Sequence, residues 1–193
     1  MSRLRVISGS AGGLLLQSPK KHALRPTQDR IRQVIFSSLA VFVPGARVLD
    51  LYAGTGSFGI EALSRGAESA TFVEQDREAV QCLRDNLAHC HLAGDVRQAD
   101  VSDFLAHSPP EGKPYDLIFA DPPYVKQRGL LEHDPLLAKL PAYMQADGYF
   151  VWEHYAQQRI EDAGGWEVVR QKSYGETGLT FLRLLHKKKK ITL

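Results

Sequence analysis

Cysteine is scarce: the 193 residues contain two, Cys82 and Cys90. They lie on one face of a predicted helix but about 12 Å apart along its axis, too far for a disulfide. No apolar run reaches the roughly eighteen residues of a membrane span, and Met1-Ser-Arg-Leu-Arg5 lacks the long apolar core of a signal peptide. The seven histidines show no ligand spacing. His89 and His91 flank Cys90, but neighbours on a helix point in different directions, so no metal site is expected. Internal repeats and low-complexity linkers are also missing. With 44% hydrophobic content, the chain can bury one substantial core plus a small appendage. These absences point to a cytoplasmic protein without a membrane anchor.

Acidic residues are nearly absent from the first 32 positions, where Arg3, Arg5, Lys20, Lys21, Arg25, Arg30 and Arg32 face Asp29 alone, a local charge of +6. Lys187 to Lys190 add +4, so the residues between carry −8 within an overall +2. Such basic ends are either solvated surface or the footprint of a polyanion, because clustered Lys and Arg displace counterions from phosphates. Leu4 to Ile7 and Leu14 to Leu16, separated by a glycine-rich turn, predict a small basic β-hairpin. In Leu24-Arg-Pro-Thr-Gln-Asp-Arg30, Pro26 stiffens a loop and Thr27 can cap a helix whose buried face carries Ile31, Val34, Ile35, Leu39 and Phe42.

From Pro44-Gly45 onward, strand and helix patterns alternate. Strands are expected near 46 to 51, 69 to 74, 95 to 98, 115 to 120 and 148 to 154, with helices near 57 to 65, 77 to 91, 101 to 107 and 129 to 139. This alternation predicts an α/β fold, a mostly parallel sheet covered by helices on both faces. Two more strands, near 166 to 173 and 178 to 185, are joined by Tyr174-Gly-Glu-Thr177, short enough to force an antiparallel pair.

The stretch Val48-Leu-Asp-Leu-Tyr-Ala-Gly-Thr-Gly-Ser-Phe-Gly-Ile-Glu61 predicts a buried strand, a glycine turn and a helix. Gly54-x-Gly56-x-x-Gly59 matches the spacing of a dinucleotide fingerprint, with Glu74 placed to hold ribose hydroxyls. The plainer alternative is that these glycines only pack helix against strand. Acidic residues follow or close four successive strands: Asp50, Glu74, Asp100 and Asp121. Ligands in such sheets bind at the carboxyl ends of the strands, where Asp100 can accept from an adenine amine and Val101 can offer a backbone N–H. A helix N-cap is the ordinary alternative for any one of these acids.

Asp121-Pro-Pro-Tyr124 is the most specific feature. An exocyclic base amine is a weak nucleophile because its lone pair is delocalised into the ring. Asp121 and the Pro122 carbonyl can accept both amine protons, localising the lone pair toward an electrophilic methyl, while Tyr124 stacks on a base taken out of its helix.

Together, Asp50-Leu-Tyr-Ala-Gly-Thr-Gly56, Glu74, Asp100 and Asp121-Pro-Pro-Tyr124 resemble the class I S-adenosylmethionine-dependent methyltransferases that act on exocyclic amines. The loop Leu24 to Arg32 and Tyr174-Gly-Glu-Thr177 more narrowly resemble the RsmD family, which methylates guanine N2 in small-subunit ribosomal RNA. The resemblance implies a Rossmann-like seven-stranded sheet whose last strand inserts antiparallel between the fifth and sixth. It implies a cofactor site at Asp50, Ala53, Gly54, Thr55, Gly56, Glu74, Gln75, Asp100 and Val101. The target base would then meet Asp121, Pro122, Pro123 and Tyr124, and RNA would contact Arg3, Arg5, Lys20, Lys21, Arg25, Thr27 and Arg30. The expected division is a basic arm over 1–26, a methyltransferase domain over 27–186 and a basic tail over 187–193. That tail is not part of the family pattern.

The methyltransferase-like part leaves about 45 N-terminal residues, short of the ~100 or more of a separate recognition domain. Specificity must then come largely from the substrate's own shape, which suits a structured RNA or ribosomal particle, with no obligate protein partner expected. An adenine-N6 methyltransferase would use the same Asp-Pro-Pro-Tyr chemistry. A nicotinamide-dependent oxidoreductase would share the glycine turn but leave that motif without a role, and a noncatalytic RNA-binding protein would need none of the site residues.

Overall fold

The computed structural model describes residues 4–19, 28–107, 114–123, 129–130, 134–160 and 163–185. Its elements in chain order are α1 (Gln28–Ser38), β1 (Arg47–Leu51), α2 (Ser57–Ser64), β2 (Ser69–Glu74), α3 (Arg77–His89), β3 (Asp95–Gln98), α4 (Val101–Phe104) and β4 (Tyr115–Ala120). They continue with β5 (Gly129–Leu130), α5 (Pro135–Lys139), a 3-10 turn (Leu140–Ala142), β6 (Met144–Tyr155), β7 (Gln158–Arg159), β8 (Trp166–Tyr174) and β9 (Thr177–Leu184).

The main sheet has seven strands in the order β3-β2-β1-β4-β6-β9-β8. Its first five strands run parallel, and β9 is antiparallel to both β6 and β8. This is the expected insertion of the last strand. The turn at Gly175 and Glu176 joins the paired Tyr174 and Thr177, and Gly175 has φ +62°. A glycine at the first central position suits a two-residue hairpin turn.

Alternation along each strand divides the core into two layers. Val48, Leu117, Phe119 and Val151 project to one face, where they meet Ile31, Ile35 and Phe36 of α1, Phe58 and Ile60 of α2, and Leu83 of α3. Leu49, Leu51, Ile118, Ala120 and Trp152 project to the other, against Val101 of α4 and Leu136 and Leu137 of α5. Every strand residue named here is buried. Both faces must therefore be covered, and that explains their near-continuous apolar runs.

Two local expectations are corrected. The helix expected near 129 to 139 is not one element: Gly129–Leu130 pairs parallel with Gln158–Arg159, and helix starts only at Pro135. The Asp134 side chain accepts from Leu136 N–H, and Pro135 occupies the first helical turn, where its missing N–H costs nothing. The strand expected at 148 to 154 begins earlier, at Met144, and a register irregularity between Tyr115 and Leu117 accommodates the extra length.

The N-terminal segment is bound into the core. An antiparallel bridge joins Arg5 and Leu15, and Val6 N–H donates to Leu14 O at 2.9 Å. Leu4, Val6, Ala11 and Leu16 are buried in the layer beneath α1 and α2. Glu61 of α2, fully buried, accepts from Ile7 N–H at 2.6 Å and Ser8 N–H at 3.1 Å and pairs with Arg65 at 2.6 Å. Arg32, counted among the basic residues of the first 32 positions, is only 1% exposed: its Nη2 donates to Arg5 O and to Asp29 Oδ1, each at 2.6 Å. Its charge serves the joint between arm and α1. The expected boundary at 26 and 27 and the tail over 187–193 lie outside the described residues.

Candidate active site

The strand order places a crevice at β1, because the chain moves outward to β2 and β3 and then returns to β4 on β1's other side. Across the carboxyl edge, Asp100, Glu74, the turn after Leu51, and Asp121 follow strands β3, β2, β1 and β4. Neighbouring strands lie about 4.8 Å apart, so Glu74 and Asp121 stand roughly 10 Å apart across the turn.

Three side chains from three elements hold the glycine turn. Asp50 Oδ2 accepts from Gly59 N–H at 2.9 Å, Glu74 Oε2 accepts from Gly54 N–H at 2.8 Å, and Asn86 Nδ2 donates to Thr55 O at 3.1 Å. Ala53 N–H donates to Val73 O at 3.1 Å, fixing the turn to β2. The glycines have separate reasons. Gly56 has φ +80°, and a Cβ there would lie 2.1 Å from Leu83 Cδ1. At Gly59 a Cβ would lie 2.2 Å from the Phe72 ring, so these two serve packing. Of the three, only Gly54, at φ +53°, opens onto free space among the described residues, its nearest described neighbour being Tyr52 O at 4.0 Å. It is the point where a ligand can approach the backbone.

Asp50 is 1% exposed, and its Oδ1 has no hydrogen-bond partner among the described residues. It braces the turn from beneath. Burial, reinforced by the neighbouring Glu74 carboxylate, pushes its pKa up to about 8 against the Gly59 hydrogen bond. In the unfolded chain an aspartate titrates near ~4, so between about pH 4 and 8 the folded state keeps a proton that the unfolded state has released. Stability therefore falls as pH rises through this window. Asp50→Asn keeps an acceptor for Gly59 and removes the ionisation, so its thermal midpoint should decline less steeply than wild type between pH 5 and 8. Equal slopes would refute titration of Asp50 in that range.

The family model described as Conserved hypothetical protein 95 matches residues 4–183. The chain belongs to this family, the RsmD family. The RsmD-family relative named Ribosomal RNA small subunit methyltransferase D, from Escherichia coli (strain K12), is 36% identical over 181 residues, covering 90% of this chain and 86% of that protein. A solved structure of a hypothetical protein from Thermus thermophilus has a TM-score of 0.78 at 30% identity, covering 93% of this chain and 99% of that one. SMU.776, solved in complex with SAH, shares the fold at a TM-score of 0.67 and 16% identity, over 83% of this chain and 50% of that one. The RsmD-family chain thus has the Rossmann-like methyltransferase fold.

The residues present in this RsmD-family site fit S-adenosylmethionine, the cofactor expected from the sequence. Glu74 uses one lone-pair site on each oxygen, for Gly54 N–H and Asp76 N–H, and retains one on each for hydroxyl donors. Asp100 is the N-cap of α4, Oδ1 accepting from Ser102 N–H at 2.7 Å and Asp103 N–H at 3.3 Å, while Oδ2 has no hydrogen bond among the described residues. The capping role and a ligand role therefore coexist in one carboxylate. Val101 opens α4, where a helix leaves N–H groups without internal partners. Gln75 is exposed beside Glu74.

Sequence reasoning missed Asn86 and Tyr52. Asn86, fully buried, also exchanges two hydrogen bonds with the backbone of Gln17, at 2.8 and 3.0 Å, so one amide ties the arm to the glycine turn. Tyr52 adopts φ +57°, a left-handed conformation rare for a non-glycine residue and frequent at functional sites. Burial, then the charges of Asp134 and Asp100, raise its pKa. Its position inside the turn was a visible signal; Asn86 gave none, because its partners are distant in sequence.

Asp121 and Pro122 are half-buried directly after β4, and Pro123 is exposed. Tyr124 lies outside the described residues, as do Arg3, Lys20, Lys21, Arg25 and Thr27. Of the expected RNA contacts, Arg5 and Arg30 are described, and both are exposed. Both cysteines are free thiols, Cys90 buried and Cys82 partly so. Among the described residues no helix is long and apolar enough to cross a membrane.

Proposed function

We propose that this protein transfers a methyl group from S-adenosylmethionine to the exocyclic N2 amine of a guanine in small-subunit ribosomal RNA. The observation that supports it most directly is Asp121-Pro122 at the end of β4, beside a glycine turn that, among the described residues, is open at Gly54. When bound, S-adenosylmethionine supplies an electrophilic methyl on a sulfonium. Glu74 and Asp100 hold the ribose and adenine, and the Gly54 backbone lets the cofactor lie close to β1. Asp121 and the Pro122 carbonyl accept the amine protons and orient the lone pair. Once the amine had taken the methyl, its surplus proton would leave by way of Asp121.

Ribosomal RNA as substrate follows the names of the relatives, and the assembled small-subunit particle is proposed as the form acted on. The test is methyl transfer from labelled S-adenosylmethionine to unmodified ribosomal RNA, small-subunit particles and DNA, with products resolved as nucleosides. N2-methylguanosine from the RNA or particles is expected. N6-methyladenine would keep the chemistry and overturn the substrate. Stacking by Tyr124 predicts that Tyr124→Phe retains most activity and that Tyr124→Ala loses about tenfold or more in kcat/KM. Equal losses would assign the role to the hydroxyl.

A further inference from the structure

Helix α1 lies on the sheet face that carries Leu179 and Phe181 of β9. Its exposed Arg30, Gln33 and Ser37 are spaced three and four apart and form one stripe along the helix. Facing them, Arg170, Lys172 and Tyr174 alternate along β8 and share one strand face, paired in register with Phe181, Leu179 and Thr177. A bulge sets that phase. Val168 pairs with Leu182, which belongs to the opposite core layer, and the extra residue Val169 then brings Arg170 opposite Phe181. Were Val169 paired regularly with Phe181 instead, Arg170, Lys172 and Tyr174 would project from the other face.

The two stripes bound a groove of about 610 Å³ whose lining includes Arg30, Gln33, Ser37, Ser38, Arg170 and Tyr174, with no acidic residue among the described lining residues. Arg170 Nη1 donates to Ser38 Oγ at 3.2 Å, and the Arg30 guanidinium lies 6.0 Å from the Tyr174 ring centroid. Neither arginine forms an ion pair with a carboxylate among the described residues. The groove starts at the catalytic edge, because Tyr174 pairs with Thr177, which pairs with Tyr155 at the carboxyl end of β6. It then runs some 10–13 Å along α1 and β8.

We infer that this groove holds the sugar-phosphate backbone of the RNA strand flanking the target nucleotide, with Arg30, Arg170 and Lys172 on phosphates and Tyr174 available to stack. The inference rests on RNA being the substrate. Guanidinium groups suit phosphate through paired N–H donors, and the amide and hydroxyls between them offer neutral hydrogen bonds to sugar and phosphate oxygens.

The test uses the full chain with Arg170→Glu and Lys172→Glu combined, and Arg84→Glu on the exposed side of α3 as a control. Methyl-transfer KM and kcat are measured on naked ribosomal RNA and on small-subunit particles, together with RNA binding across a salt series. The double variant should raise KM about tenfold or more on both substrates and leave kcat within about twofold. The slope of log K against log salt should become shallower by about 1.4, two single-strand phosphate contacts. S-adenosylmethionine affinity and the thermal midpoint should match wild type, as should every property of Arg84→Glu. A double variant with wild-type KM and salt slope would overturn the groove, and so would a defect confined to particles, which would indicate a protein contact. If wild type modified no RNA, the functional reading would fail separately, and the salt slope of RNA binding would still decide the groove.

Discussion

Asp121→Ala should lower kcat for methyl transfer by about 10²–10³-fold while leaving S-adenosylmethionine affinity unchanged. The magnitude is that of deleting one preorganised polar group aimed at the reacting centre. The separation of effects comes from topology: Asp121 follows β4, whereas Glu74 and Asp100, the acids proposed for ribose and adenine, close β2 and follow β3, on the far side of β1. Asp121→Asn provides the informative comparison. Its amide retains one acceptor oxygen but no charge, so it should orient the amine partly and take up no proton, giving a loss smaller than that of alanine. Titration with cofactor and single-turnover kinetics on RNA separate binding from chemistry. If either variant changed the RNA KM alone, Asp121 would be a binding residue and its role in activating the amine would be wrong.

The largest expected effect on stability is at Glu61, far from the chemistry in sequence. Its buried carboxylate is acceptor for two arm N–H groups and partner to Arg65. Glu61→Ala leaves all three donors without their acceptor beside a packed core. The expected cost is about 3 kcal/mol, near the lower end for breaking a buried charged contact. For a chain of this size that lowers the thermal midpoint by about 6–12 °C. Glu61→Gln keeps an acceptor of nearly the same shape and should lose less. Proteolysis should find the arm first, with cleavage near Ile7 to Ser10 appearing in the alanine variant before global unfolding. A fall below about 2 °C would mean that apolar contacts of the arm carry the joint without the carboxylate.

Much of the fold was legible because its signals are local and repeated. Val48 and Leu49, or Phe119 and Ala120, project to opposite covered faces, so each parallel strand had to be apolar throughout. The candidate site was legible where Glu74 closes β2 and Asp100 and Asp121 follow β3 and β4. The misread helix near 129 to 139 arose because the leucines around Leu136, Leu137 and Leu140 suggest helical spacing, while Asp134-Pro135 starts the helix later. What stayed hidden depends on segments meeting late in the chain. Arg32 looks like one more surface cation until Arg5 O is brought to it. Gly56 and Gly59 look like ligand glycines until Leu83 and Phe72 arrive. Asn86 and Glu61 have no local pattern that announces an arm.

That docked arm also has a history in time. Ile7 finds Glu61 after 54 further positions, and Gln17 finds Asn86 after 69. At roughly 5–20 residues per second, synthesis leaves the earliest part of the chain waiting about 3–14 s for Asn86 even to be made. Throughout that interval Leu4, Val6, Ala11 and Leu16, all destined for the core, lack the part of their cover that α3 supplies. They are kept from forming one continuous sticky strand by Arg5 and by the serines and glycines between Ser8 and Gly13, residues of the kind that restrain aggregation of an exposed segment. The same polar interruptions that form the turn in the finished protein therefore protect the nascent one.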